Sequence, residues 1–346
     1  MTMFGSLSPV RMYRIGLFVA VGVIAVILPS SVSPYLLRVV MTILVYACVS
    51  IGLNLILGYG GLISFGHAAF FGIGAYTVAL LMIKLDWSFL AATGAGILLS
   101  LVMGVLVGLT AWRVRGDYLA LVTLGFVGIT TLFMNNWVPL TGGPSGIPGV
   151  PLPTIFGYQL SASDGVYYLC LVTVGIVTGV SALISRSYFG RALLTIREDE
   201  IVARANGINV PAVKVTVFAI GAAIAGLAGA IQAASLGYVG PASFTLDQSI
   251  LMVEIVVVGG MASTWGPLIG SAILVAATEF FRFAPVWRPA VFGAVMIVIL
   301  IVRADGVASM LGLGRGSAGA RKKASVTITP SGADTMADDD TERMPA

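Results

Sequence analysis

The chain has 346 residues, 58% of them hydrophobic and only 10% charged, with a formal net charge of +4 at pH 7. A soluble domain carries roughly 25% charged residues, so this composition excludes a soluble globular protein and points to a polytopic membrane protein. The basic residues are scattered rather than gathered in a stripe, so nothing marks a nucleic-acid interface.

Apolar runs near 14–33, 36–57, 62–83, 88–111, 118–137, 166–185, 214–236, 246–260, 265–283 and 288–303 predict about ten transmembrane helices and an all-α fold. Arg11 and Arg14 precede the first run, which also resembles a secretory signal. Pro34 directly after the candidate cleavage site disfavours processing, so 1–34 is expected to be an N-terminal region with an uncleaved first helix. Arg113 and Arg115 follow the fourth run, and Arg186, Arg191, Arg197, Arg204 and Lys214 crowd the interval after the sixth. Arg315, Arg321, Lys322 and Lys323 follow the last. Ten spans starting in the cytoplasm place each of these clusters inside, as the positive-inside bias requires, with both termini cytoplasmic. The loop 138–165, which has no Lys or Arg, then faces outward. Arg38, Lys84, Arg282 and Arg288 are exceptions near the outer boundary. Cys48 and Cys170 fall inside apolar runs and read as small buried hydrophobes.

The third run opens with GYGGLISFGH at 58–67, which holds the chain's single histidine. Gly58, Gly60, Gly61, Gly66, Gly72 and Gly74 let membrane helices approach closely, and they permit a helix break where the chain lines a cavity. Gly60, Gly61, Ser64 and His67 are therefore candidates for a translocation path. For His67 itself the favoured reading is a hydrogen-bonded histidine at a cytoplasmic helix end, within a close-packed junction.

Between the sixth and seventh spans, RSYFGRALLTIREDEIVARANGINVPAVK at 186–214 predicts a short amphipathic helix over about 191–206. Leu193, Leu194, Ile196, Ile201, Val202 and Ala205 recur at helical spacing, and Arg197, Glu198, Asp199, Glu200 and Arg204 fill most of the other face. Asn206-Gly207 supplies the stop and Pro211 follows it. A helix lying in lipid headgroups is usually rich in Lys and Arg on its polar face. The mixture of acids and arginines suits a protein partner better.

The eighth span, SILMVEIVVVGG, is short and carries Glu254, Gly259 and Gly260. Its GGMASTWGP at 259–267 echoes GGLISFGH at 60–67, and glycine-interrupted segments at corresponding positions point to a transport site. A carboxylate within a span costs on the order of 3 kcal/mol on insertion scales, so Glu254 should face the bundle interior or a polar partner. Residues 307–346 form a cytoplasmic tail, polar from 316 and expected to be disordered, with its RKK at 321–323 near anionic lipid.

Catalytic chemistry finds no footing. There is no GK dipeptide for a phosphate loop, and one histidine excludes His-paired zinc sites. No catalytic, cofactor or metal site is expected, and the chain reads as a non-enzyme.

GYGGLISFGHAAFFGIGAY, RVRGDYLALVTLGF, TGGPSGIPGVP, GRALLTIREDEIVARANGINVPAVKVTVFAIGAAIAGLAGAI and GYVGPASFTLDQSI, in that order, resemble the signatures of LivM-type permeases. These are inner-membrane subunits of bacterial ABC importers for branched-chain amino acids, and the resemblance covers about 35–306. It implies a second, LivH-like permease, two cytoplasmic ATPases that bind ATP and Mg, and a periplasmic substrate-binding protein. It also implies that Arg191, Arg197, Glu198, Asp199, Glu200, Arg204 and Gly207 belong to an ATPase-coupling loop. The sequence departs from the E-A-A…G pattern of such loops: Glu200 precedes Gly207 by seven residues, and Ile201-Val202 replaces the paired alanines. The family carboxylate two residues after Ser249 is here Leu251, with Glu254 three residues later. An importer for urea, amides or other amino acids shares the fold, and a stand-alone carrier or channel is the reading from a different class.

Overall fold

Ser33 and Pro34 open the helix Pro34–Asn54. The Ser33 side chain accepts from the Leu36 N–H, and Pro34 sits in the first turn, where its missing N–H leaves no bond unmade. The computed structural model describes residues 31–114, 117–155 and 157–281, together with 26, 28, 29, 293 and 294. Helix α1 runs Pro34–Asn54 and continues as a π-helical turn over Leu55–Tyr59. Helices α2 (His67–Lys84), α3 (Phe89–Arg113) and α4 (Asp117–Asn136) follow, then the single turn α5 (Val138–Thr141) and α6 (Asp164–Arg186). Two short helices, α7 (Tyr188–Glu198) and α8 (Glu200–Ala205), precede α9 (Val210–Leu236), α10 (Leu246–Gly259) and α11 (Gly266–Phe280).

Among the described residues, seven helical segments are long and apolar enough to cross a membrane, and α11 is shorter at 15 residues. That is fewer than the ten spans expected. The runs at 14–33 and 288–303 and the tail beyond 307 lie outside the described residues. The third span begins at His67 rather than at 62, because 61–66 take no helical conformation.

The fold is also not purely helical. β1 (Ile147–Pro148) pairs antiparallel with β4 (Tyr238–Val239), and β2 (Thr154–Ile155) pairs with β3 (Tyr158–Gln159). The first ribbon ties the loop 142–163 to the segment after α9, and the second closes a turn within that loop. That loop and the α7–α8 pair lie at opposite ends of α6, 23 residues long.

Helix α9 is the hub, packing on α1, α2 and α3. Its buried face is built from Gly221, Ala222, Ala225, Gly226, Ala228 and Gly229, which lets neighbouring backbones come close. Asn209 caps it by accepting from the Ala212 N–H, and Gly237 ends it in the left-handed conformation with φ +62°. At Gly74 on α2, a Cβ would stand 2.2 Å from the Gly226 carbonyl oxygen, so the two backbones touch without side chains between them. The bulky core lies around this hub, with Phe70, Phe71, Phe218 and Tyr167 fully buried. Cys48 and Cys170 are free and buried. By contrast α4 and α6 leave Leu121, Ile129, Leu132, Ile176 and Leu183 exposed, as side chains facing hydrocarbon would be.

Candidate functional site

Two broken helices meet at the end of the bundle that carries α7 and α8. The first break follows α1: the π turn ends at Tyr59, Gly60 caps it, Gly61 takes φ +65°, and α2 resumes at His67. The second follows α10: Gly259 ends the helix, Gly260 takes φ +115°, Ala262 takes φ +56°, and α11 resumes at Gly266. The GG pairs at 60–61 and 259–260 thus occupy equivalent places, each with its second glycine in a conformation that side chains resist.

Asn54 joins the breaks. Its Nδ2 donates to the Ser263 carbonyl at 2.8 Å, and its Oδ1 accepts from the Ala262 N–H at 3.0 Å. Asn54 is fully buried, and its bonds satisfy the buried Ser263 carbonyl and the half-buried Ala262 N–H. The contact is close enough to exclude any side chain at Gly58, where a Cβ would lie 2.6 Å from the Ala262 nitrogen.

A seam of polar groups continues from there. Thr123 Oγ1 on α4 accepts from the Phe65 N–H at 3.0 Å, and Ser64 Oγ accepts from the Gly66 N–H at 3.3 Å. Ser249 Oγ on α10 accepts from the Ala68 N–H at 3.1 Å, and Tyr46 donates to Gln248 Oε1 at 2.6 Å. His67 opens α2, fully buried, with its ring edge-on to Phe70 at 5.8 Å between centroids. Among the described residues neither ring nitrogen has a hydrogen-bond partner, which corrects the expectation of a hydrogen-bonded histidine.

Gly60, Gly61, Ser64, His67, Gly259 and Gly260 therefore belong to one junction. Glu254 does not. It lies five residues after Ser249, about 140° round the helix by an α-helical count, and is partly exposed on α10 beside Asp247 and Ile250. Asn54, Tyr46, Thr123 and Gln248 are the residues that the sequence reading missed. The signal for Asn54 was available, since a polar side chain in the apolar run VSIGLNLILGYGG needs a buried partner.

The loop 187–209 corrects a further expectation. It holds two helices rather than one over 191–206. Asp199 is extended at φ −159°, and its side chain accepts from the Ile201 and Val202 N–H groups, ending α7 and capping α8 in one residue. The apolar residues then divide between the helices. Leu193 and Ile196 on α7 and Ala203 on α8 are buried, but Ile201 is 77% exposed, Val202 50%, and Ala205 is exposed too. Gly207 takes φ +76° and the Ile208 N–H returns to the Ala203 carbonyl, so the expected stop at Asn206-Gly207 is present.

The charges face in different directions. Glu200 pairs with Lys214, which is buried on α9, and lies 3.6 Å from Arg204. Arg197 Nη1 donates to the Gly58 carbonyl at 2.6 Å, and Arg191 Nη1 donates to the Arg186 carbonyl at 3.1 Å. Glu198 is exposed and makes no ion pair with a described residue. A cleft of about 300 Å³ lies between this loop and the first break, lined by Gly60, Gly61, Val114, Arg197, Glu200 and Lys214 among others.

Reversing the three acids together would therefore mix three effects. Glu200→Lys alone should destabilise the loop by about 3 kcal/mol, because it strands the buried Lys214 charge. Glu198→Lys should leave folding unchanged within about 0.5 kcal/mol. Thermal unfolding of the two variants in detergent separates them, and equal melting temperatures would refute the assignment.

The family model described as branched-chain amino acid transport system / permease component matches residues 35–300. The chain is 36% identical over 311 residues to the high-affinity branched-chain amino acid transport system permease protein LivM of Salmonella typhimurium (strain LT2), covering 83% of this chain and 73% of that protein. It is 35% identical over 315 residues to the LivM protein of Escherichia coli (strain K12), covering 84% and 74% respectively. The LivH permease protein of Escherichia coli (strain K12) is 29% identical over 284 residues, 76% of this chain and 90% of that protein. No solved structure matches. A multi-pass helical chain with paired helix breaks and a structured helical loop beside them is a transport permease by class. It belongs to the family of permease components of branched-chain amino acid transport systems.

Proposed function

We propose that this chain is one permease subunit of an ATP-driven importer for leucine, isoleucine and valine, paired in the bacterial inner membrane with a second, LivH-like permease. Two cytoplasmic ATPases hydrolyse ATP with Mg, one of them docking on this chain's α7–α8 loop, and a periplasmic binding protein delivers substrate. The observation that carries the reading is the α7–α8 pair. It is fixed from within by the Glu200–Lys214 ion pair and the Leu193–Ile196 face, while Ile201 and Val202 stand exposed. Exposed apolar side chains on a braced helix suit a protein groove, and the absence of a phosphate loop from the sequence assigns hydrolysis to a partner.

Co-expression with the ATPases, the second permease and the binding protein tests this. ATPases retained in mild detergent, with ATP-dependent leucine uptake in proteoliposomes, are the expected result. Leucine uptake by the chain alone would make it a stand-alone carrier. Uptake of urea or an amide in place of leucine would correct the substrate. The orientation has its own check: a reporter fused after Gly157 should read periplasmic and one after Gly190 cytoplasmic, and the reverse pattern would overturn the topology.

A further inference from the structure

Arg197 belongs to the docking loop by sequence and is exposed, yet its side chain also reaches the membrane domain. Its guanidinium donates to the carbonyl of Gly58, inside the π-helical turn that ends α1. The first break wraps around the same side chain, since a Cβ on Gly61 would lie 2.6 Å from Arg197 Cγ and 3.4 Å from its Cα. Gly58 in turn abuts the second break, because a Cβ there would lie 2.0 Å from Asn54 Oδ1 and 2.6 Å from the Ala262 nitrogen. Asn54 holds that break by two hydrogen bonds. A continuous chain of contacts thus runs from α7 through Arg197 and Gly58 to Asn54 and the 260–265 segment.

We propose that Arg197 is the positioning residue that transmits displacement of the α7–α8 pair to both helix breaks, so that ATPase closure reshapes the path. This rests on the functional reading above. Three properties suit the role. A π turn is a rare form of helix often found at functional sites. Gly61, Gly260 and Ala262 all hold positive φ, so both breaks have backbone that can absorb a change of conformation. The guanidinium also sits at the carbonyl end of the α1 helix, where a cation is favourable and its hydrogen bond is charge-assisted. Such a link resists being pulled apart when α7 moves.

A cation that merely caps α1 would have the same contact, so the test must read coupling. In proteoliposomes containing the whole importer, leucine imported per ATP hydrolysed is compared with wild type. Arg197→Ala should retain the ATPases and ATP hydrolysis while import per ATP falls about tenfold, in the range of ordinary coupling energies. Arg197→Lys should restore most of it, because an ammonium also donates to a carbonyl. Should Arg197→Ala fail to accumulate, Arg197→Gln gives the same ratio without the charge. An unchanged ratio in the Ala or Gln variant overturns the proposal in favour of a simple cap. Loss of the ATPases from the variant complex overturns it in favour of a docking contact. Failure of the functional reading appears instead in the wild-type arm, as absence of leucine import.

Discussion

Gly74→Ala should sharply lower the unfolding temperature of the protein, although the substitution adds a single methyl group. The new Cβ would stand 2.2 Å from the Gly226 carbonyl oxygen and 2.5 Å from its Cα. Both obstacles are backbone, so no rotamer change relieves them. Helices α2 and α9 would have to separate by about 1 Å or more, and contacts along the shared face would weaken together. Overpacking in a core costs about 1–3 kcal/mol, and a rigid backbone contact belongs at the top of that range or above it. Gly125→Ala and Gly175→Ala are the controls, since their Cβ atoms would meet nothing within 4 Å. The buried thiols of Cys48 and Cys170 report unfolding to a thiol-reactive dye during a thermal ramp. Dye reaction at the wild-type temperature in Gly74→Ala would show that the close approach is not required.

Asn54→Ala should eliminate uptake while leaving the chain inserted. The substitution orphans two backbone groups, the buried Ser263 carbonyl and the half-buried Ala262 N–H. Each carries a penalty of about 1–3 kcal/mol, concentrated on a segment where Gly260 and Ala262 already hold positive φ. The second break would then lose its tie to the first. Asn54→Asp should not rescue it, because a carboxylate keeps the acceptor but loses the donor and buries a charge. Leucine uptake by the assembled importer, alongside membrane abundance of the variant, is the measurement. Wild-type uptake in Asn54→Ala would remove the two-break junction from the transport mechanism.

These effects show where sequence reasoning reaches and where it stops. The spans at 36–57 and 88–111 were legible because apolar length alone defines them, and their helices run Pro34–Tyr59 and Phe89–Arg113. The stop at Asn206-Gly207 was legible because it depends on local backbone conformation, as was the recurrence of GG at 60 and 259. The break at Asp199 was not. Ile196 to Ala205 keep a helical rhythm, and only the side-chain cap on Ile201 and Val202 interrupts it. Arg197 and Glu200 read as one polar face, but their partners Gly58 and Lys214 come from other parts of the chain. Charge type is written in the sequence; the direction in which a charge faces is set by tertiary contacts. Asn54 falls between the two cases, conspicuous by its polarity but with partners more than 200 residues away.

The central position of α9 has a consequence for how the molecule is made. Residues 210–236 leave the ribosome after α1, α2 and α3 are already complete, yet those three helices rest on it. Until it arrives, Gly52, Gly74 and Gly104 present grooves that no other described helix fills as α9 does. Insertion of the early helices and their packing must therefore be separate events, with a waiting period between them. During that interval the nascent chain exposes backbone-lined grooves to lipid and to the proteases that survey unassembled membrane proteins. A slow or weakly inserted α9 would then reduce the amount of protein even if the finished bundle were fully stable.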